Sequence, residues 1–348
     1  MTDSSQGMTA DTVTNYEVVT AQGDIVNANQ DENEDLFFAL KGGGNQFAIV
    51  TTFTFKTYEI GKVWGGYKIY SMDQKDAILN ATHALVSDYD DPKAAVIVTF
   101  TSTLDVLVDT LVDIFVVFYF YNAADGPGEI LADFDAIESI YDGTSANRSY
   151  RDLIDDNSLF SIAGMRYLIR TGTLPNLPGE QGRDVYNKTF SDWYDLAQQY
   201  QYETADNMVF SLGFQPIPVK LANASVNNPD GRNLLGLNPD DGDKLFMEYD
   251  VSWLLSDTDE AAAKYITKIT EPAQNYVREK YSNAHPTNWR SGNTSRTNVN
   301  PLFMNDGMYN QDQSRFYGPG TYEKLKGIQR ERDPKGFFRE RTGGFKFE

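Results

Sequence analysis

Asn33-Glu-Asp-Leu-Phe-Phe-Ala-Leu-Lys-Gly-Gly-Gly-Asn-Gln-Phe-Ala-Ile-Val-Thr51 is the stretch on which the rest of the 348-residue chain can be hung. Asp35 to Leu40 has the spacing of a short amphipathic helical turn. It runs into three glycines, Gly42 to Gly44, and then into an apolar, β-rich run from Phe47 to Phe55. Glycines reach positive φ and let a bulky ligand approach the backbone closely. Successive backbone N–H groups in such a loop can cradle an anion such as a pyrophosphate. Three glycines alone are explained as well by a plain loop joining a helix to a strand; the specificity lies in the flanks. The pattern is not a dinucleotide-binding fingerprint, because the helix precedes the glycines instead of following them.

Immediately upstream, Val13 to Ala21 alternates through Val13, Tyr16, Val18 and Ala21, Gln22-Gly23-Asp24 turns the chain, and Ile25 to Ala28 returns, which predicts a β-hairpin. Downstream, Trp64 to Tyr70 has the pattern of a strand. A helix is expected from Ser71 to about Ser87, with Ile78, Leu79 and Leu85 on one face. Three strands are expected at Ala95–Thr101, Leu104–Asp109 and Asp113–Tyr121, then a helix opened by Pro127 and Gly128 and running to about Ile140. Further helices are expected over Thr189–Tyr200 and Asp257–Arg278, and strands over Met208–Pro216 and Lys244–Leu254. Phe160 to Arg170 is expected to be strand-rich or a lid. Strand, helix and then a meander of strands is the mark of an antiparallel sheet with helices on one face.

The pattern Asp-Leu-Phe-x-Ala-Leu-x-Gly-Gly-Gly-x-x-Phe-x-Ile-Val-Thr resembles the core motif of FAD-linked oxidases of the berberine-bridge-enzyme and vanillyl-alcohol-oxidase type, in particular their fungal secreted members. Gly7-Met8-Thr9-Ala10-Asp11 followed by Val18-Val19-Thr20-Ala21 is similar to the stretch that precedes that motif. Late in the chain, Phe303 to Asp312 followed by Phe316-Tyr317-Gly318 resembles the family's Tyr-x-Asn-(Tyr or Glu) segment. Leu325 to Pro334 keeps in outline its Arg-Leu-x-x-Ile-Lys-x-x-Tyr-Asp-Pro pattern, with Arg332 where Tyr is usual. The resemblance covers nearly the whole chain. One departure is Ala48, where the family has glycine; its methyl would crowd a bound flavin.

The resemblance implies an α+β fold: the remnant of a two-part FAD-binding domain plus a substrate domain with a large antiparallel sheet backed by helices. The implied division is residues 1–60 for the C-terminal part of the flavin domain, 61–292 for the substrate domain, and 293–348 for a segment that returns to the flavin domain. It implies FAD as cofactor, held by Gly42, Gly43, Gly44, Gln46, Phe47, Ile49, Val50 and Asn305, and Asp306 as acid–base residue in the position of the family's tyrosine. Asp306 before Gly307 is equally explained as a turn-forming residue. Phe214, Gln215 and Arg166, from their places on expected strands, are expected to wall a cavity on the sheet face. The implied reaction is oxidation of an alcohol, sugar or secondary-metabolite carbon, with O2 as the reoxidant. The alternative is a non-redox binding module or flavin-independent scaffold of the same descent. The family's upstream phosphate-contacting loop and flavin-linking His have no counterpart in these residues. The expectation is therefore a chain truncated at its N-terminus that by itself binds FAD weakly or not at all, is colourless and self-associates.

Composition narrows the rest. A formal charge of −20 works against nucleic-acid and membrane partners. There is no Cys, and His83 and His285 are too far apart in sequence for ligand spacing, so no metal site is expected. His83 falls on a predicted helix as a surface or packing residue. Five N-x-Ser/Thr sequons, at Asn80, Asn147, Asn187, Asn223 and Asn293, point to a secreted parent, while Met1 to Gly7 carries no signal peptide.

Overall fold

The structure, a computed structural model, describes residues 4–105, 110–157, 164–203, 208–290, 299–318 and 320–347. The hairpin near the N-terminus forms as its alternation demands: β1 (Val13–Val19) pairs antiparallel with β2 (Ile25–Ala28), burying Val13, Tyr16 and Val18 on one side. The apolar run after the glycines is β3 (Ile49–Phe55), which pairs with the other edge of β1 in the order β2-β1-β3. Helix α1 (Glu34–Leu40) precedes the glycines. It carries Glu34 and Asp35 in its first turn, where the positive end of the helix favours them, and buries Leu36, Phe37 and Ala39.

The remaining strands, β4 (Val63–Ser71), β5 (Ala94–Asp105), β6 (Thr110–Tyr121), β7 (Tyr141–Asp142), β8 (Ser145–Arg148), β9 (Arg166–Pro175), β10 (Val209–Ile217) and β11 (Lys244–Trp253), form one antiparallel sheet. Its order is β7-β4-β6-β5-β10-β11-β9, with β8 also on β4. The further helices are α2 (Lys75–Ser87), α3 (Ala132–Asp135), α4 (Tyr150–Asn157), α5 (Gly179–Glu203), α6 (Val219–Val226), α7 (Asp259–Lys280), α8 (Thr321–Arg332) and α9 (Phe337–Arg341). The α+β expectation, a large antiparallel sheet backed by helices, is borne out. Helices α2, α5 and α7 cover one face of the sheet, with an aromatic core in which the Phe100 ring meets Trp193 edge-on at 5.2 Å and Phe115 stacks on Phe190 at 5.7 Å. No helix among the described residues is long and apolar enough to cross a membrane.

Several local expectations are corrected. The three strands expected between residues 95 and 121 are two long ones, β5 and β6, paired along their whole length; Leu104–Asp109 is divided between the end of β5 and residues outside the described set. The helix expected from Pro127 to Ile140 is a 3-10 turn plus the single turn α3. The chain then leaves to pair with β4, the Ile140 N–H donating to the Ile69 carbonyl at 2.7 Å. Helix α5 starts ten residues before the expected Thr189. Gly182 in its first turns is no breaker: a Cβ there would lie 2.1 Å from His83 Nε2, so glycine is what lets α5 approach α2. His83 is buried at that contact, its Nε2 2.7 Å from the Leu177 carbonyl oxygen. The expectation for Phe160 to Arg170 falls partly outside the described residues; from Arg166 onward it is strand β9.

The ends of the chain meet. Arg332 on α8 donates from Nε to Asp35 Oδ2 at 2.8 Å and from Nη2 to Asp35 Oδ1, with Nη1 on Asn33 Oδ1 at 3.2 Å. Asn45 Nδ2 donates to the Gly343 carbonyl, and the Phe347 N–H donates to Gln46 Oε1. Joining the two sheets is the buried Asp11. It accepts from the Met8 N–H (2.8 Å), Ser225 Oγ (3.0 Å), the Asn233 N–H (2.6 Å) and Asn233 Nδ2 (2.8 Å). Replacing Asp11 with Ala leaves four donors without that acceptor, three of them in buried hydrogen bonds. Unsatisfied buried polar groups cost about 1–3 kcal/mol each before relaxation, so a total loss of roughly 3–5 kcal/mol is expected. Urea midpoints of Asp11→Ala against wild type check this; a change below about 1 kcal/mol would refute it.

Candidate functional site

The three-stranded sheet, the glycine stretch and the chain end enclose a cleft of about 960 Å3. One wall is apolar and comes from Val13, Tyr16, Ala48, Val50, Phe53 and Phe55. The lining also takes in Asn305, from a 3-10 turn at Met304–Asp306, and Gly307, Met308 and Tyr309 just after it. The glycines bend the chain into this space with φ of +137° at Gly42 and +80° at Gly44. A Cβ on Gly44 would touch the Phe345 ring at 3.1 Å, so the loop and the chain end are closely packed.

Of the residues expected to hold a cofactor, Gly42, Gly44, Ile49, Val50 and Asn305 line the cleft. Gly43, Gln46 and Phe47 do not. A Cβ on Gly43 would lie 2.3 Å from the Ala39 carbonyl oxygen, Phe47 packs against Phe347, and Gln46 is buried with its Oε1 on Phe347 N–H and its Nε2 without a partner. Ala48 is buried and its methyl faces the cleft. The flat apolar wall and the amide edges of Asn45 and Asn305 fit a fused aromatic ring system of flavin size, and the volume is that of a ligand site. The described lining has no Lys or Arg for a diphosphate; Lys41, beside the glycines, points away and donates to the carbonyls of Asp230 and Gly231 at 2.8 Å.

Asp306, next to Asn305, is not itself part of the cleft lining; it is buried and its Oδ2 has no hydrogen-bond partner. Burial first, then the nearby charge of Glu248, push its pKa up to about 7. Glu248 and Asp250 stand two apart on β11 and therefore on the same face of the sheet, the one turned away from the helices. Both carboxyls are pushed up by burial, Asp250 further by Glu248 and by Asp306. Gln215 Nε2 donates to Glu248 Oε2 at 2.9 Å, and the Tyr167 hydroxyl steadies the ionised form of Asp250. Gly213, opposite Glu248 in the register, makes room for it: a Cβ there would be 3.1 Å from that of Glu248. Sequence reasoning missed Glu248, Asp250 and Tyr167. The available signal was the alternation Lys244, Phe246, Glu248, Asp250 against Leu245, Met247, Tyr249, Val251, acids at the even positions of a strand whose odd positions are all apolar.

Of the expected sheet-face wall, only Gln215 takes part. Phe214 is fully buried on the helix side, stacked on Tyr186 at 5.9 Å, because adjacent residues of a strand point to opposite faces. Arg166 lies at the far end of β9, paired with Asp259 at the surface.

No family model matches the chain. An uncharacterised FAD-linked oxidoreductase of Arthroderma benhamiae is 30% identical over 347 residues, covering 98% of this chain and 64% of that protein. The FAD-dependent monooxygenase drtC of Aspergillus calidoustus is 25% identical over 349 residues, covering 98% of this chain and 60% of that protein. The chain thus spans less than two thirds of the length of these relatives. In structure it resembles 6-hydroxy-D-nicotine oxidase from Arthrobacter nicotinovorans, with TM-score 0.65, 16% identity and 97% of this chain on 66% of that one. It resembles glucooligosaccharide oxidase from Acremonium strictum with TM-score 0.63, 17% identity, and 96% of this chain on 66% of that one. The resemblance read from the glycine stretch is borne out by these relatives and folds.

The raised pKa of Asp306 has a consequence for stability. Between the ordinary carboxyl range and about pH 7 the folded chain holds a proton that the unfolded chain releases, so the folded state is favoured below that window and loses stability as pH rises through it. Asp306→Asn, which cannot ionise, removes this slope. From pH 5 to pH 8 the wild type is expected to lose roughly 2–4 kcal/mol more than the variant, measured by urea unfolding at each pH. Parallel pH profiles would exclude it.

Proposed function

Because the chain is a homologue of FAD-linked oxidoreductases over nearly its whole length, we propose that it forms the substrate-handling part of an FAD-dependent oxidase acting on a hydroxyl-bearing carbon of an alcohol, sugar or secondary metabolite. One observation carries this: a buried carboxyl whose Oδ2 has no partner, that of Asp306, adjoins a residue that lines a flavin-sized apolar cleft. Flavin, when bound, supplies the hydride acceptor, and O2 is the proposed reoxidant. The chain's own residues do the rest. Val50, Phe53 and the glycine backbone would hold the flat ring, Asn305 would donate to its polar edge, and Asp306 would take the proton from the substrate hydroxyl. Glu248 tunes that base by like charge, and Gln215 holds Glu248 in place. Three carboxyls at the site disfavour anionic substrates, so a neutral polyol-like or hydroxylated aromatic compound suits it best. Secretion of the parent protein is part of the same proposal; Asn80 and Asn147 are exposed sequon acceptors.

With no cation on the described lining, residues 1–348 are expected to bind FAD weakly but saturably, with Kd above about 10 μM. In excess FAD without oxygen, neutral alcohols and sugars should bleach the flavin absorbance, with an ascending pH limb near the Asp306 pKa of about 7. Asp306→Asn should slow bleaching by about 10²–10⁴-fold with FAD affinity unchanged. Absence of saturable flavin binding, or full activity in Asp306→Asn, would overturn the reading.

A further inference from the structure

A second cleft, of about 350 Å3, lies on the helix side of the large sheet, the side opposite the carboxylate cluster. In the β9–β11 register Thr171 opposes Glu248 and Arg170 opposes Tyr249, so Arg170 points to the helix side while the carboxylate cluster occupies the other. The cleft sits between β9, helix α7 and the segment 310–315. Three guanidinium groups converge on it, Arg170, Arg278 and Arg315, in a protein whose formal charge is −20. Among the described residues none of the three is in an ion pair within 4 Å.

Their partners are neutral. Arg170 Nη1 donates to Asn310 Oδ1 and makes a 3.8 Å contact with Met308 Sδ, and its buried Nε has no partner. Arg315 donates from Nε to Asn300 Oδ1 (2.7 Å) and from Nη2 to Gln274 Oε1 (2.8 Å) and the Val299 carbonyl (2.9 Å), and among the described residues no acceptor is found for its Nη1. Arg278, exposed on α7, has a 3.3 Å bond to Asn275. Amides and carbonyls thus orient the guanidinium planes without cancelling their charge. Two carboxylates also line the cleft. Asp312 is engaged in capping its own turn, accepting from Ser314 N–H and Oγ, and Glu271 is exposed and stands beyond ion-pair distance of Arg170. Burial, then Arg278, bring Arg315 down to about 10 against an opposing pull from Asp312, and burial lowers Arg170 against the charge of Glu271. A buried donor without an acceptor and like charges held together both call for an anion.

We propose that this cleft is a binding site for a small multiply charged oxyanion, clasped by the free edges of Arg170 and Arg315 and closed by Arg278. The cleft's volume is at the small end for ligand sites, enough for one phosphoryl or polycarboxylate group with its bound water. The shared chemistry is that of an oxyanion accepting bidentate guanidinium bonds.

Isothermal titration of residues 1–348 with inorganic phosphate and, separately, citrate, in chloride buffer of matched ionic strength, tests it. One saturable site with Kd of about 0.1–1 mM is expected for at least one of the two. Tighter phosphate points to a phosphoryl ligand and tighter citrate to a carboxylate ligand. Arg278→Gln, whose side chain is exposed and tied only to Asn275, should fold normally and lose about tenfold in affinity. Arg330→Gln, on the exposed side of α8, should bind as wild type. No saturable heat with either anion, or equal affinity in Arg278→Gln, would overturn the proposal.

Discussion

The burial of Asp11 among four donors ties the start of the chain to the loop that supports the glycine stretch. Its acceptor oxygens fix Asn233 through both the backbone N–H and the side-chain amide, and Ser225 at the end of α6. Fixing Asn233 fixes its neighbour Leu234, whose N–H donates to the Lys41 carbonyl at 3.1 Å. Lys41 in turn reaches the carbonyls of Asp230 and Gly231 in the same loop. The glycines that begin at residue 42 are therefore held from below by a loop nearly two hundred residues away. A flexible Gly-Gly-Gly run would otherwise lose much conformational entropy in taking up one shape. Here the surrounding hydrogen bonds supply that ordering.

The large sheet separates two chemistries by the period of a β-strand. On β11, Leu245, Met247, Tyr249 and Val251 enter the aromatic core under α2, α5 and α7, while Glu248 and Asp250 project to the other side. Each helix-side residue contributes burial free energy, about 25 cal/mol per Å2 of apolar surface. The opposite face carries carboxyls whose ionisation is opposed by desolvation and by one another. A face that stores such unfavourable interactions is tolerable because the other face is so fully packed. Buried titratable groups perturbed in this way cluster at functional sites, which is what supports the role proposed for this face.

Much of this was legible in the sequence, and the limits are instructive. The hairpin of β1 and β2 follows from strict alternation, and the glycine stretch from its flanks. Asp306 could be picked out only through resemblance, since a lone Asp-Gly has an ordinary turn explanation. Phe214 and Gln215 were assigned to one wall although the pleat sends neighbours to opposite faces, a rule available from the sequence. Other features depend on contacts the chain does not announce. Gly182 looks like a helix breaker until His83, 99 positions earlier in the numbering, is seen against it. Arg332, where the family resemblance calls for Tyr, is explained by Asp35, with which it forms a two-pronged ion pair 297 residues away in sequence. The arginine cleft joins β9, α7 and the segment 310–315, three elements brought together only by the fold.

The segment from Phe303 to Arg315 connects all of these regions, and its position is set by the large sheet more than by the glycine motif. Phe303 stacks on Phe246 of β11 with ring centroids 4.8 Å apart and planes 8° from parallel. Gln311 is buried and accepts from the N–H groups of Thr171 and Met308 through Oε1, while its Nε2 donates to the Thr171 carbonyl at 2.8 Å. Asp306 lies between these two anchors. Thr171 opposes Glu248 across the strands, so the residue that grips Gln311 is registered against the carboxylate that most perturbs Asp306 after burial. A one-residue slip of β9 on β11 would move Gln311 and, with it, the end of the turn that holds Asp306. The distance between Asp306 and Glu248 is thus a property of strand register, which an antiparallel ladder of ten consecutive pairs holds rigidly. The same segment ends in Arg315, so the site on one face of the sheet and the arginine cleft on the other share a single short length of backbone, anchored at Gln311 between them.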